Sequence, residues 1–159
     1  MAHALPRRYM RAPLAGRPAP PVAGLRTPRS TDIAELSRLL LVAYRGTVDD
    51  EGEGEAEALA EIQKTYLGNY GAFVRECSRV VEREDRLVSA TLITRWQARP
   101  FVAFSVTDPG CKRTGLARAC MVSAMQCLCA AGESELRLVV TLANTPAVSL
   151  YTSLGFVQE

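Results

Sequence analysis

A chain of 159 residues, 48% of them apolar, is the size of one ordinary domain and carries enough apolar side chain to bury a core. The formal charge of +2 is nearly balanced, which argues against a nucleic-acid partner, and no apolar run approaches the length of a membrane span. With His3 as the single histidine, a Ser or Cys triad and a His-rich metal site are nearly excluded, and no metal is expected.

Charge is unevenly spread along the chain. Residues 1–31 contain no acid but hold Arg7, Arg8, Arg11, Arg17, Arg26 and Arg29 together with most of the prolines. Such a segment buries little and has no helical or strand period, so residues 1–29 read as a disordered or loosely attached basic tail and residues 30–159 as the folded domain. An Arg-rich, acid-free start also suits a transit peptide, although this one is Pro-rich and poor in Ser.

Thr31-Asp32 followed by Ile33, Leu36, Leu39, Leu40 and Ala43 predicts a capped amphipathic helix ending near Tyr44-Arg45-Gly46. Asp49, Asp50, Glu51, Glu53, Glu55 and Glu57, interleaved with Gly52 and Gly54, make an acidic loop before a second helix over residues 58–70. Residues 77–82 and 86–96 read as two strands joined at Glu84-Asp85, a hairpin. Pro100 interrupts, and Phe101 to Thr107 is a third β-like run, rich in aromatic and β-branched residues, that Asp108-Pro109-Gly110 ends.

Residues 115–131 have helical spacing, with Gly132 as the stop. Residues 136–142 read as an apolar strand of the kind buried on both faces of a sheet, and residues 146–154 as a short helix with Pro146 near its start. Strands alternating with helices indicate an α/β or α+β domain on a mixed sheet. Cys77, Cys111, Cys120, Cys127 and Cys129 are odd in number and contain no C-x-x-C pair, so neither a disulfide framework nor a zinc site is expected. Cys120 and Cys127 share one helix face as small buried hydrophobes, which fits a reducing cytoplasm.

Two stretches carry chemistry. Pro109-Gly110-Cys111-Lys112-Arg113-Thr114-Gly115-Leu116-Ala117 places small residues where a strand hands over to a helix, so that bare amides can face an anion, with Lys112 and Arg113 adding charge. Gly110 and Gly115 serve equally well as a plain strand-to-helix turn. They have the glycine spacing of a P-loop, but Leu116-Ala117 stand where Lys and Ser or Thr would hold phosphate and magnesium, and no G-x-G-x-x-G occurs. Further on, Asn144-Thr145-Pro146-Ala147-Val148-Ser149-Leu150-Tyr151-Thr152-Ser153-Leu154-Gly155-Phe156 puts a tyrosine on a short helix.

In order and separation these two stretches resemble the GNAT superfamily of acetyl-CoA-dependent N-acetyltransferases, clearly so from Leu87 to Phe156. The resemblance implies a mixed, mostly antiparallel sheet flanked by helices. Lys112, Gly115 and Ala117 fall on the family's Q/R-x-x-G-x-G/A positions, with Lys112 departing from Gln or Arg, so Lys112, Arg113, Thr114, Gly115, Leu116 and Ala117 would hold the coenzyme pyrophosphate. Main-chain groups of Ser105, Val106 and Thr107, near a bulge, would hold the pantetheine arm. Asn144 would contact the coenzyme, and Tyr151 would protonate the leaving sulfur. Taken alone, Tyr151 also reads as a packed core residue and Asn144 as a helix N-cap.

Two departures from the family stand out. Phe101 to Thr107 contains no acid to serve as base; Asp108 reads as a turn cap, and Asp49, Asp50 and Glu57 lie where the family builds its acceptor wall. Tyr44 and Trp96 are candidates for that wall and equally for the core. After Gly155-Phe156 only Val157, Gln158 and Glu159 follow, so the C-terminal strands look truncated and the exposed edge calls for a partner subunit, a homodimer in the simplest case. The expected activity is acetyl transfer from acetyl-CoA directly to a primary amine, of a small molecule or a protein. The rivals are a non-catalytic acyl-CoA-binding module and a tether in which the basic leader grips an anionic partner.

Overall fold

A computed structural model describes residues 4–159; His3 lies outside them. Seven strands make one sheet: β1 (Arg7–Pro13), β2 (Leu25–Arg26), β3 (Arg79–Arg83), β4 (Arg86–Trp96), β5 (Arg99–Thr107), β6 (Glu135–Thr141) and β7 (Val157–Gln158), in the order β2-β3-β4-β5-β6-β1-β7. Four α-helices accompany it: α1 (Ile33–Tyr44), α2 (Glu55–Leu67), α3 (Leu116–Ala130) and α4 (Thr145–Ser153). The mixed, mostly antiparallel sheet flanked by helices is the expected fold class. No helix among the described residues is long and apolar enough to cross a membrane.

The two tight hairpins follow from backbone rather than from side-chain pattern. Glu84 and Asp85 join β3 to β4, and Gln97 and Ala98 join β4 to β5, all four with positive φ, the twist that a two-residue connection needs to match its strands. Pro100 does not interrupt: it sits inside β5, opposite Arg95.

One expectation is overturned outright. The leader is not a loose tail, because β1 lies antiparallel between β6 and β7, in register from Arg7↔Thr141 to Pro13↔Glu135. Its alternation is short but real: Met10 and Ala12 are 3% and 0% exposed in the core, while Arg7, Tyr9 and Arg11 point away. Two small apolar residues among arginines and prolines are too weak a period to see unaided; the edge of β6 supplies the partner that makes them a strand. β2 extends the other end of the same sheet against β3. The boundary expected at residue 29 therefore cuts through one sheet. The side of β6 thought to be bare is covered by β1, and β7 pairs with β1 in turn.

Arg26 completes the docking of the leader. Its guanidinium donates to both carboxylate oxygens of Asp32, at 2.8 and 2.9 Å, and to Glu82 at 2.8 Å. Burial alone would raise the Asp32 carboxyl, but Arg26 and the Arg29 amide outweigh it and hold it below its ordinary value.

Helices α1 and α2 cover one face through Leu36, Leu39, Leu40 and Ile62 against Leu87, Leu92 and Val106. On the other face α3, α4 and the residues just after α4 pack Met121, Leu128, Tyr151, Leu154 and Phe156 against Met10, Leu136 and Leu138. Cys77 and Cys127 are joined in a disulfide, their Cα atoms 5.3 Å apart, which corrects the expectation of free cysteines only. Spacing within one helix says nothing of a partner 50 residues upstream. With that bond present, the cysteines no longer point to a reducing compartment. Cys120 is free and fully buried, as expected.

Candidate active site

The site begins with a fault in the sheet. β5 and β6 are parallel neighbours, but their ladder pairs only Phe101 with Arg137, and beyond that point the strands part. β5 also carries a bulge, since Leu92 faces Phe104 and Ile93 faces Val102, which leaves Ala103 without a partner. The extra residue turns Val102 toward the α3 side while Phe104 and Val106 pack on the α1 side. Backbone groups that would have closed the ladder are left facing a gap.

A cavity of about 670 Å³ fills that gap, walled by residues 102–105 of β5 and 138–141 of β6. It corrects the expectation that residues 136–142 are buried on both faces: Leu136, Leu138 and Val140 enter the core, whereas Val139 is half-buried and lines the cavity. Tyr151 reaches it from α4, 7% exposed, and Tyr44 from the end of α1. Burial raises the Tyr151 hydroxyl above its ordinary pKa, the Ser105 hydroxyl pulls the other way, and the Asp49 charge adds to the rise. Tyr44 is raised by burial, then by the charges of Asp49 and Tyr151. Both tyrosines are thus protonated at neutral pH.

Asp49, one of the three acids that the resemblance puts at the acceptor wall, is held in place. Its Oδ1 accepts from the Thr141 hydroxyl at 2.7 Å and its Oδ2 from Asn144 Nδ2 at 3.2 Å, which pins the α1–α2 loop across the end of β6. Asn144 meanwhile caps α4, its Oδ1 accepting from the Ala147 amide at 3.3 Å. Nδ2 keeps a second proton to offer.

The anion corner lies past the end of β5. Asp108 caps its turn by accepting from the Gly110 amide at 2.8 Å, as expected of a residue before Pro109. Arg113 and Gly115 both adopt positive φ, 63° and 81°, and α3 starts at Leu116. The first intrahelical bond runs from Ala119 N to Gly115 O, so the amides from Gly115 to Arg118 have no acceptor within the helix. Residues 112–115 are exposed, and a Cβ built on Gly115 would meet nothing within 4 Å. Leu116, 4% exposed against Val81 and Cys120, anchors the helix start from below.

Of the residues singled out from sequence, the cavity gathers Ser105, Asn144 and Tyr151, together with Tyr44. Lys112, Arg113, Thr114, Gly115, Leu116 and Ala117 form the separate open corner. Val106 points into the α1-side core and Thr107 spends its hydroxyl on Ser89 at 2.9 Å, so only their backbone can face a ligand. Trp96 is outside the cavity, stacked on Tyr9. Glu61 and Arg7 line the cavity and were not singled out for it. Glu61 was legible in the four-residue spacing from Glu57, whereas nothing local announces Arg7. Among the described residues no group of His, Cys, Asp and Glu could hold a metal.

Comparison with solved structures places this architecture. The chain is similar to a GNAT-family protein of Novosphingobium aromaticivorans, 21% identical with a TM-score of 0.63, over 97% of this chain and 61% of that one. A GCN5-related N-acetyltransferase of Sphaerobacter thermophilus matches at 17% identity and a TM-score of 0.75, over 96% of this chain and 48% of that one. PaiA N-acetyltransferase of Thermoplasma acidophilum, in complex with coenzyme A, matches at 15% identity and 0.67, over 85% and 89%. The chain therefore spans less than two thirds of the first two proteins, and at such identities the likeness is one of fold. No curated protein matches it. The FR47-like protein family model matches residues 80–159, which include the bulged strand, the anion corner and Tyr151. The chain belongs to the FR47-like family, within the GNAT superfamily of acetyltransferases.

Proposed function

We propose that this protein transfers the acetyl group of acetyl-CoA directly to a primary amine. The observation that carries the reading is the parting of β5 from β6 over a cavity lined by the buried Tyr151. The residues present suit the coenzyme: unpaired amides at the start of α3, an open space above Gly115, and Lys112 and Arg113 beside them match a pyrophosphate in charge and in reach. When bound, acetyl-CoA supplies an activated acyl group on a sulfur that leaves as thiolate.

The backbone of Ser105, Val106 and Thr107 holds the pantetheine arm as an added strand would be held, and a β5 amide polarises the thioester carbonyl. Tyr151, protonated at neutral pH, donates its proton to the departing sulfur. Asp49 takes up the proton that the attacking ammonium must lose, directly or through a water. It is the carboxylate whose charge reaches both Tyr44 and Tyr151. One C–N bond forms and one C–S bond breaks; of the two protons the ammonium loses, the first passes to Asp49 before attack and the second, shed once the C–N bond has formed, restores the one that Tyr151 gives to the sulfur. Neither a metal nor an acyl-enzyme enters the scheme.

Titration with desulfo-CoA, followed by mass-spectrometric detection of acetylated amines from a broad panel, tests this reading. Coenzyme binding with acetyl transfer is the expected result. Binding without transfer to any amine would leave a non-catalytic acyl-CoA module, and absence of binding would remove both.

A further inference from the structure

We infer that the Thr91 and Ser105 hydroxyls form a chain of two hydrogen bonds that ends on the Tyr151 oxygen and steadies the charge left there when the tyrosine gives up its proton. Thr91 is then a positioning residue, which acts on Tyr151 through Ser105 and lies outside the cavity lining. The inference rests on the acetyl-transfer reading of Tyr151 and adds what makes that tyrosine an effective acid. It starts from an unspent proton in the core. Among the described residues, Thr91 Oγ1 is the one buried hydroxyl with no hydrogen-bond partner, on a residue 0% exposed in the middle of β4. Such a group costs free energy for as long as it stays unpaired.

The sheet shows which partner is within reach. Ser89↔Thr107 and Thr91↔Ser105 are successive rungs between β4 and β5, two residues apart on both strands, so their side chains share one face and one cross-strand geometry. That face is the α3–α4 side, where Cys120 of α3 approaches Ser89 at 3.8 Å. On the first rung the hydroxyls meet, with Ser89 Oγ and Thr107 Oγ1 2.9 Å apart. On the second the Ser105 hydroxyl is engaged by Tyr151 from α4, both residues lining the cavity, and Thr91 behind it is left over. Arg79 stands opposite Thr91 on β3 but spends its guanidinium on Ser123 Oγ at 2.8 Å and on the Glu76 and Ser78 carbonyls at 2.8 and 2.7 Å. The hydroxyl facing Thr91 across the sheet is therefore Ser105, whose other neighbour is the tyrosine.

Protonated, the Tyr151 hydroxyl both gives and accepts a hydrogen bond; ionised, it only accepts. As its proton passes to the leaving sulfur, Ser105 must donate to the phenolate, which leaves Ser105 Oγ as a bare acceptor, and the unspent Thr91 proton turns to it. Both O–H bonds stay intact, and Tyr151 recovers its own proton from the amine nitrogen. A group that is unpaired while the tyrosine is neutral thus becomes paired when it is charged, and the chain favours the ionised form. Ser105 already pulls the Tyr151 hydroxyl down against burial. The titratable groups facing Tyr151 from the elements around it are Asp49 of the α1–α2 loop, whose charge opposes ionisation, and Tyr44 of α1, itself protonated.

The test puts a difluorinated tyrosine in place of Tyr151 in the full, ligand-free chain, where the ring fluorines acidify the phenol and give a fluorine NMR signal to titrate. Ser105→Ala should raise the titration midpoint by about one pH unit and Thr91→Val by about half a pH unit. Thr91→Ser keeps the hydroxyl and should restore the midpoint of the unaltered protein, and Thr91→Val should add nothing once Ser105 is alanine. A midpoint unmoved by Thr91→Val, or moved equally with and without Ser105, would overturn the inference. Should Thr91→Val fail to fold, Thr91→Ala takes its place with the same expected shift, and an unmoved midpoint in Ser105→Ala overturns the inference by itself. Acetyl transfer is followed against pH alongside, with the natural tyrosine, and its alkaline limb should rise with the midpoint. Midpoint shifts without acetyl transfer to any amine would retain the hydrogen-bond chain and reject the transfer reading. Transfer with an unmoved midpoint would do the reverse.

Discussion

The anion corner and the tyrosine cavity face the same coenzyme in the proposed reaction but are built on opposite plans. The corner is contiguous, Lys112 to Ala117, exposed over residues 112–115, and made of main chain whose amides are free because a helix has just begun. The cavity is assembled from β1, the α1–α2 loop, α2, β5, β6 and α4, and its working groups are side chains brought together from those separate segments. A main-chain site needs only permissive residues in a row. A side-chain site needs distant segments held at fixed positions, and so inherits the stability of the whole sheet.

The sharpest way to break this contrast is at β1, which reaches the cavity through Arg7 yet lies far from it in sequence. Ala12→Asp puts an unpaired carboxylate at a fully buried position beside Leu136, its register partner on β6, and should cost about 3–5 kcal/mol. Urea unfolding measures this. A loss below ~1 kcal/mol would mean that the leader is peripheral after all.

Tyr151→Phe comes next: kcat should fall about a hundredfold or more with little change in coenzyme affinity. Because burial raises the Tyr151 hydroxyl, the acid form persists beyond the ordinary tyrosine value and activity falls only as pH rises through the raised one. That alkaline limb should vanish in the phenylalanine variant. A retained limb would assign it to another group.

At the corner, Gly115→Asp should weaken acetyl-CoA binding by about tenfold or more through repulsion of the pyrophosphate. The fold should survive, because the added Cβ meets nothing and the positive φ costs only about 1 kcal/mol. Binding and thermal melts of the same sample separate the two effects, and unchanged affinity would remove the site. The smallest change is expected from Thr141→Val, which deletes one hydrogen bond to Asp49. Loosening of the α1–α2 loop should raise KM for the amine several-fold, about 1 kcal/mol, with coenzyme affinity unmoved.

The corner was legible because its requirement is local: Gly115 is where the chain must turn with positive φ. α1, β4 and α4 were legible for a similar reason, each carrying its own period or cap. The role of Asp49 was hidden, since its partners Thr141 and Asn144 lie more than ninety residues away. Sequence spacing sees it only as one more acid beside Asp50. The Cys77–Cys127 bond was hidden in the same way.

Residue order by itself determined the helices, the β3–β4 hairpin, the glycine turn before α3 and the tyrosine's place on α4, because each depends on neighbours within a few positions. The tertiary structure alone decided that Arg7 to Pro13 is a strand, that β5 and β6 separate after Phe101 and Arg137, and that acids from two segments share one cavity. Those are outcomes of pairing between remote segments, where burial and hydrogen bonding are gained only once both partners are in place.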